Sequence, residues 1–202
     1  MLYKKREIVS ESWWDNMYHV SEDKRAVKSA QLIWEGLEKC LQEKELKAVR
    51  VSDINKKSYV SRATFYRLFD SIQDVLVYEC DSIFTEIAME MSKGSFSSSK
   101  ELFLFFIRQW LSQRTLLKAL VENNLTNILY ETHMKNKELV KTIYVCEANM
   151  SEQDADYLVS VLTGIIPSVI NVWYLHGQSE SADEIFQRVC SCVSTIDKVL
   201  NA

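Results

Sequence analysis

Apolar side chains recur at helical spacing along most of this chain, and that periodicity limits the folds it can adopt. Near the N-terminus the recurring residues are Ala26, Ala30, Ile33, Leu37 and Leu41. Near the C-terminus a second stripe consists of Ile185, Val189, Cys192, Val193, Ile196 and Val199. One face of an α-helix has this spacing. Strands usually come with turns rich in Gly and Pro, whereas these 202 residues include only four Gly and one Pro. The sequence therefore predicts an all-α protein.

Capping signals divide the chain into helices. Ser21, followed by two acids, is placed to cap the first helix, and Ser61 is placed to cap the third. Ser71 and Asp74 form a capping box, and the patch at 92–100, with Gly94 and five Ser, predicts a break. The predicted helices span about 22–44, 51–57, 62–68, 72–92, the apolar stretch “ELFLFFIRQWLSQRTLLKALVENN” at 101–124, 152–176 and 182–200, with a less regular stretch at about 125–150.

Charge is distributed unevenly along the chain. From Lys24 to Asp70 there are 11 Lys and Arg against six Asp and Glu, whereas from Ser71 to Ala202 there are 10 basic and 17 acidic residues. A basic N-terminal piece on an acidic body is typical of a small polyanion-binding module joined to another domain. Chance clustering on solvated faces explains the same counts, so charge alone leaves both interpretations open.

The segment “SYVSRATFYRLF”, Ser58–Phe69, mixes hydroxyl, guanidinium and aromatic side chains. Two short helices with little chain between them, inside a basic region, predict a helix-turn-helix. Val60, Phe65 and either Leu68 or Phe69 can then face inward. The opposite face would present Ser61, Arg62, Ala63, Thr64, Tyr66 and Arg67 to the major groove of DNA. Hydroxyl groups donate to phosphate oxygens, and Arg can do the same or read guanine.

The longer segment “VRVSDINKKSYVSRATFYRLFDSIQDVL”, Val49–Leu76, resembles the helix-turn-helix of TetR-family transcriptional regulators. The pattern VS-x-x-TFY-x-x-F is specific, and it is present here as Val60, Ser61, Thr64, Phe65, Tyr66 and Phe69. It follows one amphipathic helix and precedes a long connecting helix, as in that family. The resemblance covers about residues 24–80 at the level of the motif, and beyond that only the architecture matches.

This resemblance implies a homodimer whose two N-terminal heads bind a palindromic operator in double-stranded DNA. It also implies a helical C-terminal body that holds a small-molecule effector and pairs through its last two helices. Residues 1–20 would be an N-terminal extension, 21–70 the DNA-binding domain and 71–202 the effector-binding and dimerisation domain. Besides the face of the third helix, the contact positions carried over include Ser52. The implied activity is that of a ligand-responsive repressor.

Aromatic residues in the C-terminal part are candidates for the effector pocket, because pockets are mostly apolar with a few polar groups. For any single one of them a plain place in the core is the better explanation. Pro167 is expected to bend the helix that carries the last two. The candidates are Phe106, Trp110, Tyr130, Tyr144, Trp173 and Tyr174.

Three positions depart from the family pattern. The turn usually reads Ala-Gly-Val-Ser, and here Tyr59 occupies the glycine position, where a positive φ would strain it. Asn55 replaces a small Ala, and Ile72 replaces a Lys that meets phosphate. These departures leave a second function open, in which a TetR-like co-regulator has lost operator binding and acts through a protein partner.

Other classes of protein find little support in the sequence. It shows no Ser/His/Asp order, paired catalytic carboxylates or Gly-rich phosphate loop, so we expect no enzyme and no cofactor. His19, His133 and His176 have no metal-ligand spacing around them, so we expect no metal. Five scattered Cys favour a reducing cytoplasm, and no continuous apolar run reaches the roughly 18–20 residues of a membrane span. In the extension, Lys4, Lys5 and Arg6 could reach DNA with Trp13 and Trp14 as anchors, although a frayed tail explains them equally well.

Overall fold

The computed structural model describes residues 18–93, 96–138, 141 and 150–201. These residues form helices without any β-strand, so the predicted all-α class is confirmed. The helices are α1 Lys24–Leu41, α2 Val51–Ser58, α3 Arg62–Leu68, α4 Ile72–Lys93, α5 Ser99–Ser112, α6 Arg114–Glu122, α7 Asn127–Lys135, α8 Glu152–Leu175 and α9 Ala182–Leu200, with a 3₁₀ turn at Leu46–Ala48.

The chain forms two compact units. Of the described residues, the first unit contains 18–44 and 48–79, and the second contains 45–47 and those from 80 onward. The boundary lies inside α4 because the first two turns of this helix pack within the first unit. There the ring of Tyr78 meets that of Phe69 at 5.7 Å between centroids, and Val75 and Leu76 are fully buried.

The first unit, which we call the head, is built on close packing of α1 against α2. A Cβ at Gly36 in α1 would lie 2.8 Å from Cβ of Ser58 and 2.9 Å from the carbonyl oxygen of Ile54. Only glycine therefore allows the two helices to approach this closely. The core of the head includes Ile33, Leu37, Ile54, Phe65, Leu68 and Phe69.

The first helix is shorter than the predicted 22–44. Asp23 caps it instead of Ser21, because its carboxylate accepts from the backbone N–H groups of Arg25 at 2.8 Å and Ala26 at 3.2 Å. At the other end the backbone N–H groups of Glu43 and Lys44 both donate to the carbonyl oxygen of Cys40 at 3.0 Å, which tightens the last turn and ends the helix at Leu41.

A short stretch before α1 attaches to the end of α3. Tyr18 forms an isolated antiparallel bridge with Phe69. The backbone N–H of His19 donates to the carbonyl oxygen of Leu68 at 2.8 Å, and its Nε2 lies 3.2 Å from Oδ2 of Asp70. The predictions for Lys4, Lys5, Arg6, Trp13 and Trp14 fall outside the described residues.

The second unit corrects two sequence predictions. The apolar stretch predicted as one helix is two, α5 and α6, because the backbone of Gln113 leaves the helical region at φ −85° and ψ 50°. The stretch expected to be less regular contains α7, whose first turns bury Ile128 and Leu129. Short helices of this kind have too few turns for a clear periodic pattern.

The two long C-terminal helices begin and end where the sequence predicts. Ser151 and Ser181 cap them by accepting from the backbone N–H groups of Asp154 at 3.1 Å and Glu184 at 3.3 Å. α8 stops before Gly177, whose φ of 75° permits a left-handed turn that satisfies two carbonyl groups of the last turn. α8 packs on α6 and α7, and α9 packs on α5. By length and composition alone α8 could cross a membrane, but core helices pass the same test.

Candidate functional site

Helix α3 separates its side chains into a buried set and an exposed set. Phe65 and Phe69 are fully buried and Leu68 nearly so. Arg62, Ala63, Tyr66 and Arg67, by contrast, are exposed, as are Ser52 in α2 and the cap residue Ser61, while Thr64 is half-buried. The structure thus brings the predicted DNA-contacting residues to the surface of the head. Their role in binding stays a prediction.

The exposed side of α3 is organised before anything binds to it. The Ser61 hydroxyl accepts from the backbone N–H of Thr64 at 3.1 Å and lies 2.9 Å from its hydroxyl, so it is occupied in capping. The guanidinium of Arg62 lies over the Tyr66 ring, 5.4 Å from its centroid, and that ring meets the edge of buried Phe65. A guanidinium that lies over an aromatic ring can still donate hydrogen bonds from its N–H groups to another partner.

The acids of the head are partly neutralised by lysines away from α3. Asp53 pairs with Lys44 at 2.5 Å, and that hydrogen bond, together with the backbone N–H of Arg50, lowers the pKa of Asp53. Glu43 pairs with Lys57. Lys56, Arg62 and Arg67 are exposed and form no salt bridge within the described part of the chain, so no salt bridge neutralises these three cations on and beside α3.

The turn between α2 and α3 has an unusual composition and a left-handed backbone. Tyr59 adopts φ 59° and ψ 16°, the strained geometry predicted for a side chain at the glycine position, and its side chain is 94% exposed. The Asn55 amide donates to the carbonyl oxygen of Val60 at 2.6 Å, and the backbone N–H of Val60 donates to the Ser58 hydroxyl at 3.2 Å. The turn is therefore held by side chains of α2. The third departure from the family pattern, Ile72, is half-buried.

The second unit places two of the predicted pocket residues around a histidine. The rings of Phe84, Phe106 and Trp110 lie 5.1, 5.4 and 5.5 Å from the ring of His133, centroid to centroid. Nδ1 of His133 bonds the carbonyl oxygen of Leu129, whereas Nε2 of His133 and Nε1 of Trp110 have no hydrogen-bond partner among the described residues. Burial lowers the pKa of His133 to about 4, against an opposing contribution from the bond to Leu129. We call these four rings the aromatic cage.

Sequence reasoning missed His133 because it tested histidines only for metal-ligand spacing. The signal that could have found it is its position one helical turn after buried Leu129, next to buried Thr132. Within residues 18–93, 96–138, 141 and 150–201, no three His, Cys, Asp or Glu side chains are placed to hold a metal ion.

The other predicted pocket residues lie elsewhere. Trp173 is buried in α8, where its Nε1 donates to the carbonyl oxygen of Glu180 at 3.0 Å. Tyr174 donates its hydroxyl to Glu122 at 2.6 Å, and burial together with this bond raises the pKa of Tyr174 to about 12. Tyr130 is 37% exposed on α7, and Tyr144 falls outside the described residues. The five candidates that the structure describes therefore do not form one pocket.

An open apolar groove runs between α8 and α9. Its volume is about 460 Å³, and its walls are almost wholly apolar except for a few groups that include Arg188 and Glu180. Of the predicted pocket residues it contains only Trp173. Apolar residues along it that are at least half exposed include Val161, Val172, Val193 and Ile196. We call this feature the α8–α9 groove.

Comparison with known proteins finds likeness in structure only. No protein-family model matches the chain, and no curated protein matches it. Among solved structures, Lin0861 from Listeria innocua superposes with a TM-score of 0.71 at 14% identity, over 88% of this chain and 96% of that chain. The dihydroxyacetone kinase operon activator DhaS superposes with a TM-score of 0.60 at 13% identity, over 86% of this chain and 98% of that chain. The TetR family repressor AlkX from Dietzia sp. superposes with a TM-score of 0.57 at 18% identity, over 83% of this chain and 94% of that chain.

These likenesses extend over nearly the whole length of each chain. They show the fold, and they confirm the resemblance read from residues 49–76 at the level of architecture. The helix-turn-helix head and the helical body both belong to the fold that these solved structures share.

Proposed function

We propose that this chain, which has the fold of TetR-family regulators, is a dimeric DNA-binding transcriptional regulator that responds to a small molecule. The observation that carries the proposal is the division of α3, with Arg62, Tyr66 and Arg67 exposed and Phe65 and Phe69 buried. Fixed aromatic anchors and exposed fork-shaped donors suit insertion into the major groove. Two structural neighbours, DhaS and AlkX, are named an operon activator and a repressor.

Dimerisation is supported by the α8–α9 groove. Its apolar walls remain exposed in a single chain, and contiguous apolar surface of this kind usually marks an association site. Two antiparallel helices from each of two copies would close a four-helix bundle over it. The same symmetry would present two copies of α3 to the two halves of a palindromic operator.

Ligand response follows from the connection between the two units. We assign DNA binding to residues 21–70 and effector binding and dimerisation to 71–202, with 1–20 as an extension. Helix α4 passes unbroken from one unit into the other. An effector that binds one conformation of the body more tightly would change the separation of the two α3 helices. Half-sites one helical turn apart require the two α3 helices to lie about 34–36 Å apart, so a small change in this separation releases the DNA. We therefore propose a cytoplasmic repressor that needs no cofactor.

DNA selection from a random-sequence duplex library tests the proposal. We expect the wild-type protein to enrich a palindromic sequence. Arg67→Ala should then weaken binding to that duplex by about tenfold or more, because it removes a charged donor at the base edges or phosphates. The slope of log affinity against log salt should also fall if the contact is to phosphate. Lys118→Ala, at an exposed position on α6 in the body, is the matched control and should bind as wild type.

Operator binding would be contradicted if the wild-type protein enriched no sequence. It would also be contradicted if Arg67→Ala and Arg62→Ala both bound the duplex as tightly as wild type. A reporter gene placed behind the selected duplex then separates repression from activation. Expression that falls when the protein is present supports a repressor.

Co-regulation through a protein partner is the second candidate. Two observations favour it: an apolar Ile72 stands where a phosphate-binding Lys is usual, and an exposed Tyr59 replaces the glycine of the turn. This candidate predicts a partner protein that co-purifies with the chain and no salt-dependent affinity for any duplex.

A further inference from the structure

Tyr59 combines two properties that are hard to explain by the stability of its own fold. Its backbone is left-handed, which is unfavourable for a residue with a Cβ, above all a bulky one. Its side chain is 94% exposed, so the ring gains almost nothing from packing. The other described residues with positive φ are Asn124, Gln178 and Gly177, and Tyr59 is the aromatic one among them. Strained residues that the fold does not need are concentrated at functional sites.

The conformation of the turn does not depend on the Tyr59 side chain. The Asn55 amide donates to the Val60 carbonyl at 2.6 Å, and the Ser58 hydroxyl accepts from the Val60 N–H at 3.2 Å. Both groups come from α2, and they hold the chain on the far side of Tyr59. Glycine at this position would keep these bonds and remove the strain. The fold alone therefore favours glycine, and another selection must account for tyrosine.

The surroundings of Tyr59 favour an anionic partner. Tyr59 lies two residues before Ser61, the cap of α3, with exposed Lys56 three residues before it and exposed Arg62 three residues after it. No Asp or Glu occurs between Asp53 and Asp70. Glu43 pairs with Lys57, but the other charged side chains from residue 54 to 69 are basic and form no salt bridge within the described residues. An exposed phenol in such a stretch matches a nucleic-acid backbone better than an ordinary protein surface, which presents charges of both signs.

We propose that Tyr59 is a DNA-contacting residue, whose phenolic hydroxyl donates a hydrogen bond to a phosphate oxygen beside the bases that α3 faces. The inference rests on the proposed function, because it requires that α3 enter a groove. A tyrosine side chain has only two torsions, so its hydroxyl projects from the turn at little entropic cost. The contact would fix the register of the head on the duplex without reading a base. On this view the departure from glycine adds a contact to DNA.

Two substitutions in the full-length protein test the inference, with the duplex enriched by selection as the probe. Tyr59→Phe removes only the hydroxyl, and we expect about tenfold weaker binding, as for the loss of one hydrogen bond to a charged acceptor. The slope of log affinity against log salt should not change, because a neutral phenol releases no counterion. Tyr59→Gly should lose at least as much affinity, yet unfold at a higher urea concentration than wild type because the strain is gone.

The matched control is Asn124→Gly, at another left-handed position, in the second unit. It should bind the duplex as wild type, so a general effect of glycine on binding is excluded. Opposite changes in stability and affinity at Tyr59 alone would support the proposal, since a merely structural residue would change both in the same direction.

Several results would overturn the inference. Tyr59→Phe binding as tightly as wild type would do so while leaving the proposed function intact. A Tyr59→Gly variant less stable than wild type would show that the ring supports the turn. Loss of a co-purifying protein on Tyr59→Phe, with DNA affinity unchanged, would assign the side chain to a protein partner. Wild-type protein that enriches no duplex would overturn the proposed function and this inference together.

Discussion

At the scale of single residues, the aromatic cage contains two of the four buried side-chain atoms that lack a hydrogen-bond partner in the described structure. Nε2 of His133 and Nε1 of Trp110 are buried without a hydrogen-bond partner. Such groups cost roughly 1–3 kcal/mol each, so they are usually kept for a reason other than stability. One acceptor and one donor among rings would suit a small neutral molecule with a hydroxyl group or an ordered water.

His133 makes stability depend on pH in a predictable direction. Burial lowers its pKa from 6.5 to about 4 in the folded state. As the pH falls from 6.5 to 4, the unfolded chain therefore binds a proton that the folded chain does not, and the free energy of unfolding decreases. The full effect is about 3 kcal/mol, from ~1.4 kcal/mol for each pH unit.

Substitution of His133 by Phe isolates this effect. Between pH 7 and pH 4 the wild-type protein should lose up to about 3 kcal/mol of unfolding free energy through the titration of His133. The His133→Phe variant should not show this loss. Urea unfolding at a series of pH values measures it. Phe84→Leu alters the same cage but keeps His133, so it should change the free energy of unfolding by the same amount at every pH. Parallel pH curves for His133→Phe and wild type would contradict the assignment.

At the scale of elements, side-chain caps decide where the helices start. Oxygen atoms of the cap residues accept from N–H groups of the first turn at Asp23, Ser61, Ser98, Ser151 and Ser181. The start of α4 is held by a similar set of hydrogen bonds to Asp74, whose side chain is more buried than those five cap residues. The carboxylate of Asp74 accepts from the N–H groups of Asp70 and Ser71 at 2.9 and 2.8 Å and from the Ser71 hydroxyl at 2.9 Å, and it is only 6% exposed.

Substitution of Asp74 by Ala should therefore destabilise the junction of α3 and α4. We expect a loss of about 2–3 kcal/mol in unfolding free energy, because two backbone donors lose a buried carboxylate partner. Thermal or urea unfolding measures the loss. Asp23→Ala removes an exposed cap of the same type at the start of α1 and should cost less. Equal losses for the two variants would show that burial does not govern the contribution of the cap.

At the scale of the whole molecule, the α8–α9 groove leaves apolar side chains of a single chain exposed to water. Residues of both helices that a monomer would be expected to bury remain exposed, among them Val161 at 60% and Val193 at 55%. The proposed four-helix bundle would remove them from water, and it would also set the distance between the two heads.

Substitution of Val193 by Arg should separate the proposed dimer without unfolding the chain, because the site is exposed in one copy and buried in two. Sedimentation should show a monomer where wild type is a dimer, and affinity for the selected palindrome should fall by orders of magnitude, because two half-sites no longer bind together. Met89→Arg, at a 50% exposed apolar position on α4, is the control and should remain dimeric. A monomeric wild type, or a dimeric Val193→Arg variant, would refute this interface.

Much of this protein follows from local rules that need no tertiary information. The periodic apolar stripes and the scarcity of Gly and Pro determine the all-α class, because side-chain spacing must match the helical repeat wherever one face is buried. The starts of α4, α8 and α9 follow from caps whose donors and acceptors lie within four residues of each other. The motif at 60–69 determines the division of α3, because Phe65 and Leu68 lie three residues apart on one face and the arginines lie on other faces.

Only the tertiary structure decided the features that depend on distant contacts. The cage around His133 and the separation of Trp173 from Trp110 depend on how segments far apart in sequence pack together. Sequence spacing indicates which residues share one face of a helix, but it does not indicate which helix faces pack against each other. Burial, and with it the lowered pKa of His133 and the exposure of Tyr59, is a property of the packed arrangement and not of any segment by itself.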